Sequence, residues 1–279
     1  MEMFWFWAIA ATLAIYVVLD GFDLGVGILH LLVARTEEER RTVVRSIGPV
    51  WDGNEVWLLA AGGTLALAFP KVYASSFSGF YLPLMIVLWL LMLRALGLEF
   101  RHQIHHPMWV SFWDAAFSLA SILLTIFFGA ALGNVVRGVP LDAQGYFFAP
   151  LWTTFTVSPD AGILDWFTVL MGVVALCTLT MHGGHYLAMK TEGPIRDRAR
   201  ALAARAFLCT VAGSLAAMAA ASFIHPELWA NYAEHPIALM IPLGAAAGLL
   251  GGGIAARRGR DAAAFVGSTV FILGMLVAT

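Results

Sequence analysis

The chain has 279 residues, 60% of them hydrophobic and only 12% charged, with a net charge of −2 and a mean hydropathy of +0.81. A water-soluble domain needs roughly 25% charged residues to cover its surface, so this composition excludes one and points to a membrane protein. The small net charge gives no sign of a nucleic-acid partner.

Apolar runs of about 20 residues, the length a helix needs to cross the hydrocarbon core, predict eight transmembrane helices. They fall at 3–32, 50–69, 78–99, 111–135, 163–189, 203–224, 236–256 and 263–279. Every backbone amide inside a bilayer must be paired within the protein, which makes helices the reading of such runs. Strand alternation is absent. The first run starts two residues after Met1 without a basic leader or cleavage signal, so it reads as a retained helix. Cys177 and Cys209 lie in apolar runs and read as buried packing.

The polar links between runs carry the topology. Alternating the helices places Arg35, Arg40, Arg41, Arg45, Arg94, Arg101, Lys190, Arg196, Arg198, Arg200, Arg205, Arg257, Arg258 and Arg260 towards one side. Only Lys71 and Arg137 go to the other. The rich side is expected to be cytoplasmic and the N-terminus external (periplasmic). Residues 33–48 and 190–201 form basic cytoplasmic connections, and 136–162 forms the long external one. These links suggest a first four-helix bundle over 1–135 and a second over 163–279. The last run ends without a polar flank, which suggests a chain cut within its final helix.

Ionisable residues in the apolar runs are costly and therefore informative. Asp20 and Asp23 lie three apart on one face of the first helix, and Asp52 and Glu55 lie three apart in the first turn of the second. Arg94 and Glu99 close the third helix, and Asp114 opens the fourth. Together they predict a polar funnel running from the cytoplasmic side into the bundle. Glu99 and Asp114 read equally as interfacial groups, whereas the deeper Asp20, Asp23 and Arg94 need partners. Gly21, Gly25 and Gly27, with Gly62 and Gly63, suggest close helix packing. His182 and His185 lie three apart on one helix and cannot ligate opposite faces of one haem. His102, His105 and His106 read as solvated, and His30, His225 and His235 have no constellation around them. No metal site is expected.

The stretches LDGFDLGVG, SIGPVWDGNEVWLLAAGGTLALAFPKVYASSFSGFYLPL, MLRALGLEFR and HGGHYLAMKTEG closely resemble subunit II of the bd-type terminal quinol oxidases. The resemblance implies an all-α polytopic inner-membrane protein of two four-helix bundles, with the family's ninth helix beyond the end of this sequence. It implies an oxidoreductase complex that oxidises membrane quinol and reduces oxygen to water with cytoplasmic protons. Haem b and haem d are then expected in a partner, subunit I, with small accessory subunits and lipids as further neighbours. By the same resemblance Asp52 matches an aspartate of the proton-uptake path. Asp20, Asp23 and Arg94 match the polar network within it, and Glu55 matches a position where charge varies. Two other classes stay open on the residues alone: a scaffold for the haem subunit, and a secondary transporter or channel.

Overall fold

The computed structural model describes residues 1–158 and 161–278; the part of the external connection at 159–160 and the final Thr279 of the last predicted helix lie outside the described residues. Eleven α-helices are present among those residues, with no strand. They are α1 (Glu2–Val33), α2 (Glu37–Ile47), α3 (Trp51–Ala68), α4 (Pro70–Gly79), α5 (Tyr81–Phe100), α6 (Pro107–Arg137), α7 (Trp166–Lys190), α8 (Gly193–Ile224), α9 (Glu227–Glu234), α10 (Met240–Arg257) and α11 (Asp261–Ala278). Seven are long and apolar enough to cross a membrane, and an eighth crossing results if α3 and α4 count as one broken span. The chain is an all-α polytopic membrane protein of seven or eight such helices.

The eight predicted runs match these helices closely; besides the short α9 between the sixth and seventh runs, there are three differences. Residues 33–48 fold into α2, whose Thr36 side chain accepts from the Glu39 amide while Glu39 reaches back to the Thr36 amide. This capping box starts a helix that apolar runs could not reveal. Secondly, α8 begins at Gly193 rather than 203, because the charged stretch IRDRARALAARA is rich in strong helix formers and Pro194 sits in the first turn. Thirdly, residues 70–79 form α4, turned by 119° from α3 at Phe69 and Pro70.

Helices α1 and α7 form the centre. α1 packs on α3, α6 and α7, while α7 packs also on α6, α8 and α11. The sequence of α1 is divided between two faces. Asp20, Asp23, Gly27 and His30 recur at helical spacing on one stripe towards α3, α5 and α6. Gly21 and Gly25 point to α7: a Cβ on Gly25 would overlap the Leu179 carbonyl and the Gly183 backbone, and a Cβ on Gly183 would overlap Gly25. The two backbones therefore meet where both lack side chains. By contrast, Gly62 and Gly63 face open space, so their predicted role in packing is not met within this chain. The α3 helix lies chiefly against α1 and leaves its outer face uncovered.

Candidate functional site: the buried carboxylate and arginine cluster

Arg94 of α5 is buried and donates from Nη1 to Asp20 Oδ1 of α1 at 2.6 Å. Its Nη2 lies 3.3 Å from Glu55 Oε1 of α3, at ion-pair distance. Asp23, one turn along α1 and buried, accepts from Asn54 Nδ2 at 2.8 Å. Four of the five predicted residues thus meet at the junction of α1, α3 and α5. The fifth, Asp52, stands one turn before Glu55 on α3, is exposed, and makes no hydrogen bond or ion pair among the described residues.

The cluster is not closed electrostatically. Asp20 Oδ2, Asp23 Oδ1 and Arg94 Nε are buried atoms without a hydrogen-bond partner among the described residues. Each such atom costs about 1 to 3 kcal/mol unless another group satisfies it. Arg94 is a fixed cation facing two carboxyl groups, Asp20 and Glu55.

Asp114 and His30 form a second cluster. Asp114 is buried and accepts from Arg101 Nε at 2.5 Å, lies 2.7 Å from His30 Nε2 and 3.4 Å from Arg40 Nη1. His30, expected to stand alone, is instead a buried member of this group. The only sequence signal was its place on the same stripe of α1 as Asp20 and Asp23. Glu99 is exposed and joins neither cluster. Further ion pairs tie the helix ends together: Arg198 with Glu39, and Arg196 and Arg200 with Asp261. At the opposite end Arg137 pairs with Asp165.

Of the three buried histidines, His30, His182 and His185, two are held in contacts that do not suit a haem ligand. His182 has both ring nitrogens engaged, Nδ1 at 2.7 Å from Ser268 Oγ and Nε2 at 3.1 Å from the Val18 carbonyl. Its ring stacks on Phe265 with centroids 4.6 Å apart, and with both nitrogens engaged it has no lone pair free for a haem iron. His30 is held by Asp114. Among the described residues no group of three or more His, Cys, Asp or Glu is placed to hold a metal ion. Cys177 and Cys209 are free, and Cys209 lies exposed on the surface rather than in the expected packing.

The profile of the family described as "Cytochrome bd terminal oxidase subunit II" matches residues 1–279. A Haemophilus influenzae protein named "Probable cytochrome oxidase subunit 2" is 43% identical over 198 residues, covering 71% of this chain and 51% of that protein. The "Cytochrome bd-I ubiquinol oxidase subunit 2" of Escherichia coli K12 is 36% identical over 211 residues, covering 76% and 54%. The chain thus spans about half the length of these curated relatives. A chain of the bd oxidase structure from Geobacillus thermodenitrificans superposes with a TM-score of 0.76 over 99% of this chain and 82% of that one. At 17% identity that likeness speaks for the fold alone. The match of the family profile to the whole of residues 1–279 means that the chain belongs to the cytochrome bd terminal oxidase subunit II family.

Proposed function

We propose that this chain is the haem-free subunit of a bd-type quinol:oxygen oxidoreductase, and that it supplies a proton path from the cytoplasm as well as a face for assembly. The partner, a haem-bearing subunit I, supplies the haem b and haem d chemistry that oxidises quinol and reduces oxygen to water, which consumes protons. The carrying observation is the run from exposed Asp52 through Glu55 to the buried Arg94 and Asp20 pair. The arginine-rich helix ends face the cytoplasm and the N-terminus is external, by the asymmetry of charge.

Asp52 stands at the mouth and takes a proton from the cytosol as a general base. Glu55, on the same face one turn deeper, receives it. Arg94 carries no proton onward; it holds a positive charge between Glu55 and Asp20, so that carboxylates can exist at membrane depth. Asp23, held by Asn54, extends the acceptor groups along α1.

The test is Asp52→Asn in the assembled complex. Quinol-driven oxygen uptake is expected to fall at least about tenfold, a usual size for loss of a proton-transferring group. Haem content and subunit ratio should be kept, and Asp52→Glu should restore part of the rate. Parental turnover across pH with full haem content would refute the path, and loss of haem in the Asn variant would favour the scaffold reading.

A further inference from the structure

Beyond the proton path, the arginine-rich end of the molecule contains a second, separate feature. A cleft of about 470 Å³ opens between α2, the link from α5 to α6, and the start of α6. Its wall is formed by Arg40, Arg41, Arg45, Arg101 and the histidines of the RHQIHHP link, with Glu37 as its acidic member. Asp114 lies behind the wall and Glu99 beside His102. Four arginines against three carboxylates leave one positive charge in excess, before the three histidines are counted.

Not all of this charge is used internally. Arg101 is spent on Asp114 and Glu37, and Arg41 on Glu37 at 3.0 Å. Arg45 has no ion pair among the described residues, and Arg40, whose Nη1 lies 3.4 Å from Asp114, keeps its Nε buried without an acceptor. α6 also opens here: His106 offers no side-chain cap and Pro107 lines the cleft, so the first amides of a 31-residue helix point their positive end the same way. The field is felt at His102, which burial and then Arg101 and Arg41 hold below the usual histidine range.

The cleft lies where one apolar span, α5, ends and the next, α6, begins. Exposed Ile104, Met108 and Phe112 adjoin it. Partly exposed Trp109 stands among them and donates to the Phe100 carbonyl at 2.7 Å. An ordinary soluble anion would use the basic wall and leave that apolar border idle. A phospholipid uses both, its phosphate on the arginines and its acyl chains on the border.

We infer that this cleft binds the phosphate of an anionic phospholipid headgroup from the leaflet at the arginine-rich end. Guanidinium forks suit phosphate oxygens, and basic recesses between transmembrane helix ends are the usual lipid sites of this kind. The inference rests on the cleft alone and stands whether or not Asp52 conducts protons.

The test uses the protein as purified from membranes with its accompanying subunits, reconstituted in phosphatidylcholine nanodiscs with or without phosphatidylglycerol. Retained lipid is read by native mass spectrometry and affinity by lipid titration. Arg41 and Arg45 are exposed, so a double variant, Arg41→Ala with Arg45→Ala, keeps the buried Arg101 and Asp114 pair and the fold. The parent should retain phosphatidylglycerol in preference to phosphatidylcholine. The double variant should bind it about 30-fold more weakly, roughly fivefold per arginine. Arg257→Ala with Arg258→Ala, on exposed residues of another link, should leave binding unchanged. Three results would each overturn the inference: equal loss in that control, which would mean general surface charge; undiminished binding in the Arg41 and Arg45 variant; or displacement of phosphatidylglycerol by millimolar inorganic phosphate, which would mean a soluble anion is the occupant.

Discussion

Asp20 and Arg94 are both buried, so removing either one takes the shortest ion-pair contact from the other at membrane depth. Asp20→Asn or Arg94→Gln should each destabilise the chain by about 3 to 5 kcal/mol, whereas replacing both by apolar residues of similar volume should recover most of that loss. Thermal unfolding of the parent and the three variants in detergent checks this, and additive losses would mean that the two groups do not act as a pair. Asp52 has no such partner, and its Asn variant should stay within about 0.5 kcal/mol of the parent, as exposed substitutions usually do. A loss of turnover there would therefore belong to chemistry and not to folding. The sequence made Asp20, Asp23 and Arg94 visible because charge within an apolar run is anomalous. It could not say which carboxylate Arg94 would choose, since Asp20 lies 74 residues away. Nor could it separate the buried Asp114 from the exposed Glu99, because helix ends tolerate carboxylates of either kind.

Glycine positions divide the helices into faces already committed and faces still free. On the α1 and α7 crossing, Gly25→Val would drive two methyls into backbone, and no flexible side chain could yield. Loss of the folded chain from the membrane is expected, read as the amount of protein that survives detergent extraction. Gly62→Leu meets open space in this chain and should leave the chain's own stability unchanged. If α3 carries a partner, the same change should weaken subunit association, which separates an assembly surface from a lipid-facing one. At α2, Glu39 is held below the usual glutamate range first by the Arg35 amide and then by Arg198. A lowered folded value stabilises α2 fully above the ordinary glutamate range, and that support is lost as pH falls through the lowered value. Hydrogen exchange in α2 should accelerate in that acid window, and an Arg198→Ala variant should reach it at higher pH. The long apolar helices were legible by run length, whereas α2 and the start of α8 were not, because their charged residues hide helices built on caps and propensity.

At the scale of the whole molecule, four of the helix-end links are laced by arginine and carboxylate pairs at one end, while Arg137 and Asp165 stand at the other. This asymmetry predicts that Glu2→Cys reacts with a membrane-impermeant maleimide in intact cells. Labelling only after the membrane is opened would reverse the orientation and remove the cytoplasmic source of protons. The pairing of Asp20 with Arg94 across 74 residues also sets a timetable for biosynthesis. At about 5 to 20 residues per second, a ribosome delivers the arginine roughly 4 to 15 s after the aspartate. During that interval α1 holds carboxylates without their counter-ion, and the bilayer centre is a costly place to wait. We predict that the nascent α1 rests higher, near the headgroups, until α5 arrives. In translation intermediates that lack α5, a Leu19→Cys residue should react with a water-soluble maleimide faster than in intermediates where α6 has emerged. Equal reactivity in the two would show that α1 takes its final depth without help from Arg94.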